Sequence, residues 1–397
     1  MQATRADLRW LLLTQQGLLG ERCPGGGAAG AVAWVRRHGF LMLEPEARAF
    51  APGHDLVLFN RISGYQAGDV ESALYGGRRL IEHYLHVLGA LPAEDYPLIY
   101  DPERAARASQ PGSMGAWVLA CLAAEGPCTL RELHTHLGQN HDTRRALGEA
   151  VRELYGAGAI LVREREGSQP VYGLAQAVLG GEVPAPAPLE ERLHALTRRS
   201  LQVLAPVTRS TWSQVLNSIG TRAGLGLAAL KREKSRLMAG MLASGEAVLL
   251  EGNDLTQGYI VPADWPLPKG RPPHVAPRVF FLSPLDPVVW DGQRARDLFG
   301  FDVRQQAFRP TLRERRFVAP TLPILFGQAL VGRLEVQIHW AEERLLVHAV
   351  HLENQPELSG AQFRAAFADA LHELANWLGV REIRAVGPVP PRLLSQP

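Results

Sequence analysis

SMGAWVLACLAAEGPCTLRELHTHLGQNHDTRRALGEAVRELYGAGAILVREREGSQPVYGLA, residues 113–175, is the stretch that decides the fold. Its first helix begins at Ser113, whose hydroxyl can accept a hydrogen bond from a helix N–H, and ends at Gly126. A second helix begins immediately afterwards, because Thr129 and Glu132 have the spacing of a capping box. A glycine then supplies the turn that joins it to a third helix.

The third helix and a hairpin complete this unit. Residues 141–155 place three apolar side chains on one face at helical spacing. Two runs rich in strand-forming residues, 159–165 and 171–174, flank a turn at 167–170 and predict a hairpin. Helices followed by such a hairpin are typical of a winged helix. The arginines on the outer face of the third helix, which we expect to contact DNA, are Arg144, Arg145 and Arg152.

The pattern leaves the ligand of this unit open. A fold by itself does not fix what it binds, so a winged helix used only for protein contact is the alternative to DNA binding. We prefer DNA for this chain. In that case the tip of the hairpin can reach a phosphate backbone.

A similar unit follows in the chain. The proline-rich linker at residues 184–188 is short and stiff. The sequence after it predicts three helices and a hairpin, over residues 189–204, about 211–218, 223–243 and 247–261. The third of these helices has one apolar side and one largely basic side, and the basic side includes Lys231 and Lys234. Repetition of a unit indicates a tandem architecture, which can line a duplex over more than one helical turn.

The N-terminal part of the chain fits the same plan less closely. A strand is expected at residues 79–91 and a short extended run at 40–44, where Pro45 biases Glu44 towards an extended backbone. Alternate side chains of an extended run share a face, so Met42 and Glu44 should point to one side. Helices are expected over residues 7–19, 31–37, 56–62 and 69–75.

The last part of the chain has a different pattern, with mostly strands and two helices, which predicts an antiparallel sheet backed by helices. The helices are expected over residues 289–299 and 361–378. We therefore expect an α+β protein, with tandem winged helix-turn-helix domains and a C-terminal antiparallel sheet and helix region. The expected domains cover residues 1–108, 109–183, 184–268 and 269–397.

The composition describes a globular chain with an ample core. Hydrophobic residues make up 46% and charged residues 21% of the chain. Its length of 397 residues is enough for two to four domains. The net charge is only +2, so nucleic acid would be met by local basic patches. Lysine stands only at positions 231, 234 and 269, and arginine supplies the other basic residues. The guanidinium fork suits phosphates and base edges better than an ammonium group does.

The cysteines and the apolar runs suggest where the protein works. The three cysteines, an odd number without paired metal spacing, predict a reducing compartment and no zinc site. The N-terminus lacks the layout of a signal peptide, and no apolar run reaches the length of a membrane span. We therefore expect a cytoplasmic protein, with no membrane contact and no metal.

Three motifs stand out in the last part of the chain: FLSPLDPVVWD at residues 281–291, LFGFD at 298–302 and LPILFGQALVGRL at 322–334. In combination they resemble the signature of the YcaQ/AlkZ-type winged-helix DNA glycosylases, and the runs at residues 16–19 and 56–62 agree with this resemblance. The resemblance implies tandem winged helices that form a concave DNA-binding surface. It also implies excision of alkylated purines, or unhooking of interstrand crosslinks, by cleavage of the N-glycosidic bond.

That family's chemistry is attributed to a glutamine followed two residues later by an aspartate or a glutamine. The matching positions are Met42 and Glu44, so this chain departs from the pattern at both. Cleavage of a glycosidic bond develops an oxocarbenium-like cation, and a carboxylate can stabilise that charge and orient a water. Glu44 has the required group, although its extra methylene shifts it by roughly 1 Å, enough to matter in a tight site. Met42 offers water no useful hydrogen bond and is expected to fill space.

Further candidates for DNA contact come from the resemblance and from charge. His86 lies where the family has a histidine, and it and His83 could contact a phosphate or a flipped base. For His83, a histidine on a half-exposed strand is the preferred interpretation. The densest basic run spans residues 309–316 and favours phosphate contact. Its arginines are Arg309, Arg313, Arg315 and Arg316. Asp286 and Asp291 are expected to cap the turn and the helix beside them.

Three functions are compatible with these observations. The first is a monofunctional DNA glycosylase that acts through Glu44, which needs no cofactor and, with no lysine near the motif, no Schiff-base step. It would act as a monomer on double-stranded, preferentially damaged DNA of the nucleoid. The second is a protein that binds damaged or distorted DNA without cutting it. The third is a transcriptional regulator, which the C-terminal motifs disfavour.

Overall fold

A computed structural model describes residues 1–44, 50–138, 141–266, 277–303, 321–353, 358, 360–390 and 393, and only the backbone of residues 141, 142 and 227. The chain begins with helix α1 (Arg5–Gln15), which Thr4 and Asp7 cap as a capping box. Helix α1 is shorter than the helix expected over residues 7–19, because the backbone turns at Gly17 with φ 67°.

In its described residues, the first unit (27–92) contains four helical segments and three strands. These are α2 (Gly27–His38), β1 (Leu41–Met42), α3 (Gly53–Phe59), α4 (Asp69–Glu71) with a π-helical turn at Ser72–Gly76, β2 (Leu80–Tyr84) and β3 (Leu88–Pro92). The strands form an antiparallel sheet in the order β1-β3-β2. The short β1 therefore pairs with the second strand of the hairpin.

The single strand expected over residues 79–91 is wrong, because this segment is the β2–β3 hairpin. Leu85 donates its backbone N–H to Val87 O (3.1 Å) within the turn. The turn residues Leu85, His86 and Val87 include no glycine, proline, asparagine or aspartate. The reversal therefore lacks the residues by which turns are usually recognised.

The second unit, residues 114–174, follows two connecting helices. Those are α5 (Tyr96–Ile99) and α6 (Pro102–Ala108), and the unit itself contains α7 (Met114–Glu125), β4 (Cys128–Thr129), α8 (Leu130–Leu137), α9 (His141–Gly156), β5 (Ile160–Glu166) and β6 (Gln169–Leu174). Ser113 caps α7, and Thr129 with Glu132 forms the capping box of α8, which confirms both expected helix starts. The sheet order is β4-β6-β5.

The third unit, residues 189–262, follows the short helix α10 (Ala175–Leu179). It contains α11 (Leu189–Leu204), α12 (Arg209–Arg222), α13 (Leu227–Ala243), β7 (Ala247–Leu250) and β8 (Tyr259–Pro262). Val207 forms an isolated antiparallel bridge with Ile260 in β8. Thr208 caps α12 by accepting the N–H of Thr211 (3.0 Å).

The same order of elements therefore recurs in the three units. In each, a helix is followed by a short extended segment, two further helical segments and a hairpin. The short extended segment pairs with the second strand of that hairpin each time. The repeat expected from the two later units thus extends to the N-terminal part of the chain.

The C-terminal region, residues 277–390, forms a five-stranded sheet with helices against it. Its elements are β9 (Val279–Phe281), α14 (Gly292–Phe299), β10 (Thr321–Phe326), β11 (Ala329–His339), β12 (Arg344–Leu352), α15 (Ala361–Trp377) and β13 (Glu382–Ala385). The strand order is β13-β12-β11-β10-β9. Four strands are antiparallel, as expected, but β13 runs parallel to β12. The crossover through α15 returns the chain to the same end of the sheet, which gives the parallel pairing.

Buried polar contacts join the first unit to its neighbours. Arg61 donates to both carboxylate oxygens of Asp286 (2.8 Å each), and both side chains are completely buried. Arg165 on β5 donates through Nε to Glu82 on β2 (2.9 Å), which also accepts from the hydroxyl of Tyr75 (2.6 Å). Because Arg165 contacts Glu82, this end of the β5–β6 hairpin faces the first unit. The tip of the same hairpin, residues 167–169, is exposed.

Within the described ranges of the chain, no helix is both long and apolar enough to cross a bilayer. The same residues contain no group of three or more histidine, cysteine, aspartate or glutamate side chains arranged to hold a metal ion. All three cysteines are unpaired.

Candidate functional site

Glu44 lies at the first position where the chain leaves the N-terminal sheet. Leu43 still donates its N–H to Leu88 O (3.1 Å), but the N–H of Glu44 donates to Nδ1 of His54 (3.1 Å). The Glu44 carboxylate turns back to α3, where Oε2 accepts the N–H of Gly53 (2.9 Å). Glu44 is therefore held at two points, one on its backbone and one on its side chain.

The sequence at the start of α3 explains this contact. The N-cap position is Pro52, which has no side chain that could accept a helix N–H. Glu44 supplies the acceptor from another element and places its negative charge beside the first N–H of the helix. Its other oxygen, Oε1, accepts no hydrogen bond from the described residues, and the side chain is half-buried.

The C-terminal region closes this corner from the other side. An ideal Cβ built on Gly53 would lie 2.5 Å from Oγ of Ser283 and 2.7 Å from Oε2 of Glu44. Ser283 is completely buried, and its hydroxyl accepts the N–H of Leu285 (3.1 Å). Any larger residue at this position would displace one or both oxygens, because they crowd the place of a side chain.

Helix α3 itself is fixed against the same region. Asn60, at its C-terminal end, donates to Phe281 O on β9 (2.9 Å), and the pair of Arg61 and Asp286 lies beside it. Asp286 also accepts the N–H of Val288 (3.0 Å), and Asp291 caps α14 by accepting two N–H groups of its first turn. The expected capping roles of the two aspartates are confirmed.

Burial governs the protonation of the groups around Glu44. It raises the pKa of the Glu44 carboxyl, while the N–H of Gly53 acts in the opposite direction. It lowers the pKa of His54 to about 4, so this imidazole is neutral at physiological pH. Burial also raises the pKa of Asp55 to about 6, although the hydroxyl of Tyr65 donates to this carboxyl.

Met42, the other position of the sequence motif, packs in the core. Its side chain is 5% exposed and belongs to a hydrophobic cluster with Phe40, Ile81 and Leu85. The two side chains predicted to share one side thus have different surroundings, because Met42 is in this cluster and the Glu44 carboxylate contacts Gly53 on α3. The expectation that Met42 fills space agrees with this position.

His86 and His83 are both buried, so neither side chain is presented at the surface of this structure. His86 is 5% exposed and lies between the rings of Phe40 and Trp290, at centroid distances of 5.6 and 5.2 Å. Neither ring nitrogen has a hydrogen-bond partner among the described residues, and burial lowers its pKa to about 4. His83 is hydrogen-bonded to Tyr155 O (2.8 Å). The contact expected between His86 and DNA stays a prediction, and in this structure the β2–β3 turn packs inward.

The basic side chains of the two later units are mostly exposed. On α9, Arg152 is exposed, Arg145 forms an exposed ion pair with Glu149 (3.0 Å), and Arg144 contacts the ring of His134 (3.3 Å). On α13, Lys231 is exposed, whereas Lys234 is half-buried and donates to Asn217 (2.9 Å). The run that contains Arg309, Arg313, Arg315 and Arg316 lies outside the described residues.

The positions of Gly53, His54 and Ser283 beside Glu44 were not foreseen from the sequence. A signal existed, because His54 and Asp55 directly precede the apolar run at residues 56–62 and Ser283 lies inside the FLSPLDPVVWD motif. Polar residues that adjoin a family motif are candidates for the same site. Local sequence rules could not identify Glu44 as their partner, because Glu44 belongs to a different element, just beyond β1.

The comparison with known families decides the assignment. The model of the family described as DNA glycosylase AlkZ-like matches residues 35–377. The chain belongs to this family. The match spans most of the three units and of the C-terminal region, and it confirms the resemblance seen in the sequence motifs.

A solved structure agrees with the fold of this AlkZ-like protein. The structure of Streptomyces sahachiroi DNA glycosylase AlkZ superposes with a TM-score of 0.63 and 15% sequence identity, over 97% of this chain and 100% of that chain. At this identity the likeness concerns the fold. Membership of the AlkZ-like family assigns the chain to the DNA repair glycosylases, whose partner is DNA.

Proposed function

We propose that this protein is a monofunctional DNA glycosylase that excises alkylated purines, or unhooks interstrand crosslinks, by hydrolysing the N-glycosidic bond. The observation that carries the proposal is the arrangement of Glu44 in a member of this family. Its carboxylate is half-buried and anchored through Oε2 to Gly53 (2.9 Å), and the described residues leave Oε1 without a hydrogen bond.

Glu44 has the chemistry that the reaction requires. The departing base leaves positive charge on the sugar, and a fixed carboxylate stabilises this charge more strongly in a poorly solvated site than in water. Oε1 can also orient a water for attack on the sugar carbon. Burial raises the pKa of the Glu44 carboxyl, and the N–H of Gly53 opposes this shift by favouring the charged form that the proposed role needs.

Glu44 would act without help from Met42, which is buried in the core. An alkylated purine carries positive charge before the bond breaks, so its glycosidic bond is already weakened. A single carboxylate is then sufficient for a substrate of this kind. None of the three lysines of the chain, at positions 231, 234 and 269, adjoins Glu44 in the sequence, and we propose hydrolysis without a Schiff base.

The three units are proposed to act as tandem winged helices on one duplex. The side chains Arg144, Arg145 and Arg152 of α9 and Lys231 of α13 would contact phosphates. Such contacts orient the protein without reading sequence, so distortion at the lesion would select the site. We propose that the protein works as a monomer on damaged DNA in the cytoplasm, in association with the nucleoid.

A second candidate is a protein that binds damaged DNA without excision. Two observations favour it: Met42 is buried, and the hydrogen bond from Gly53 gives Glu44 a structural role as the cap of α3. The scaffold would be the same in both cases. Only a measurement of base release separates them.

The test uses the full chain and duplex DNA that carries N7-methylguanine, N3-methyladenine or a nitrogen-mustard crosslink. Alkaline treatment converts an abasic site into a strand break. We expect strand breaks with the wild-type protein and, at the same reaction time, at least about 100-fold fewer with Glu44→Ala. Tight binding of the damaged duplex without strand breaks would contradict the glycosylase and support the second candidate.

A further inference from the structure

His54 is the second residue of α3 and lies directly behind Glu44. It is 4% exposed, and its Nδ1 accepts the backbone N–H of Glu44 (3.1 Å). The preceding residue, Gly53, binds the carboxylate of the same glutamate (2.9 Å). Two consecutive residues of one helix thus determine both the path of the Glu44 backbone and the direction of its side chain.

The hydrogen bond to His54 replaces one that the sheet no longer provides. The pairing of β1 with β3 ends at Met42, and Leu43 makes the last backbone contact with β3, to Leu88 O (3.1 Å). Glu44 is the first residue beyond this ladder. Without His54 its N–H would have no such partner in a half-buried place, and the backbone would be free to rotate.

The imidazole is suited to this task because its tautomer is fixed. A histidine nitrogen accepts a hydrogen bond only when it carries no proton, so the neutral ring must have its hydrogen on Nε2. Burial keeps the ring neutral by lowering its pKa to about 4. The negative charges of Glu71 and Glu82 raise the pKa of His54, and the positive charge of Arg165 lowers it. Burial has the largest effect on this pKa.

We propose that His54 is the positioning residue of this site, which holds the Glu44 backbone through Nδ1 so that the carboxylate meets the sugar of the damaged nucleotide. This inference rests on the proposed function for its consequence in the reaction. The geometric part, the hold on Glu44, does not depend on activity. A displacement of about 1 Å at a reacting group lowers a rate about 100-fold.

Three variants separate the hydrogen bond from the mere presence of a side chain. In His54→Asn the amide oxygen can take the place of Nδ1, whereas in His54→Gln the terminal amide is better placed to replace Nε2. His54→Leu fills space and accepts no hydrogen bond. We expect single-turnover base release to fall about 100-fold in the Leu and Gln variants and to stay within about 10-fold of wild type in the Asn variant.

Two further measurements keep the outcome specific. The Kd for damaged duplex should be unchanged in all three variants, since His54 is buried and does not reach DNA. Amide hydrogen exchange at Glu44 should accelerate in the Leu and Gln variants and remain slow in the Asn variant. As a matched control, His38→Leu removes another buried histidine, hydrogen-bonded to Trp34 O (2.8 Å), and should leave the rate and the Glu44 amide unchanged.

The results distinguish the two levels of the proposal. Equal rates and equal exchange in the Asn, Gln and Leu variants would overturn the positioning role and leave the glycosylase intact. Absence of base release by the wild-type protein would overturn the glycosylase, and exchange at Glu44 would still decide whether His54 holds it. If His54→Leu does not fold, the comparison of Asn with Gln decides alone.

Discussion

Replacing Gly53 with alanine would disturb the proposed active site by a single methyl group. The new Cβ would lie 2.5 Å from Oγ of Ser283 and 2.7 Å from Oε2 of Glu44. Carbon and oxygen in comfortable contact are about 3.5 Å apart, so both contacts must lengthen, the one with Ser283 by about 1 Å and the one with Glu44 by somewhat less. Ser283 is completely buried, so we expect the start of α3 to be displaced away from it, and the half-buried Glu44 carboxylate to move and to lose the Gly53 N–H.

The size of the effect differs for rate and stability. A shift of about 1 Å at a reacting group lowers a rate about 100-fold. Overpacking destabilises a protein by about 1–3 kcal/mol, and alanine in place of glycine returns roughly 0.4–1 kcal/mol through the unfolded chain. We therefore expect Gly53→Ala to remain folded, with a free energy of unfolding lowered by about 1–2 kcal/mol.

The assay measures single-turnover release of the alkylated base, the Kd for the damaged duplex and unfolding in urea. Gly240→Ala on α13 is the matched control, because a Cβ there would have no atom within 4 Å. The Gly240→Ala protein should be at least as stable as the wild type and should release the base at the same rate. A Gly53→Ala protein that binds DNA and releases base at the wild-type rate would refute the proposed placement of Glu44.

Three further predictions concern stability and DNA binding. Lowering the pH from 6.5 to 4 should reduce the free energy of unfolding by an amount on the order of 3 kcal/mol through His86. The reason is that His86 takes up a proton in the unfolded chain over this range, whereas its pKa of about 4 in the folded protein keeps it neutral. Urea unfolding of His86→Leu should therefore depend less on pH. Asp286→Ala should lower the free energy of unfolding by about 3–5 kcal/mol, since it leaves the buried Arg61 unpaired, and a decrease below about 1 kcal/mol in urea would contradict this. Replacing Arg144 and Arg145 with alanine should weaken binding to all DNA sequences equally. It should also reduce the slope of log Kd against log salt concentration by about one unit for each phosphate that is no longer neutralised. Weaker binding to one sequence alone would count against contact with the DNA backbone.

Local rules predicted those parts of the fold that depend on neighbouring residues. The caps at Ser113 and Thr129 are in place because a hydroxyl and the helix N–H that it accepts are three positions apart. The same holds for Asp291 at α14.

Elements that depend on distant partners were harder to anticipate. The turn at residues 85–87 carries no turn residues, and it forms because His86 packs between Phe40 and Trp290. The parallel pairing of β13 with β12 is determined by the return of the chain through α15. Such pairings are decided by tertiary packing, which can override local propensity.

The candidate site shows the same division. The position of Glu44 at the end of an extended run followed from the sequence and from the family motif. Its partners did not, because His54 and Gly53 are on α3 and Ser283 is more than two hundred residues away in sequence. Alternation along the strand could not foresee the different surroundings of Met42 and Glu44, since β1 contains only two residues and Glu44 lies beyond it.

The measurement that tests the central claim most directly is the single-turnover rate of base release by Glu44→Ala, determined with the Kd of the same variant for the same damaged duplex. Removal of the electrostatic group should lower the rate about 100- to 1000-fold and leave the Kd unchanged. An unchanged rate in a folded, DNA-binding Glu44→Ala protein would show that the carboxylate serves α3 as a cap and takes no part in the reaction.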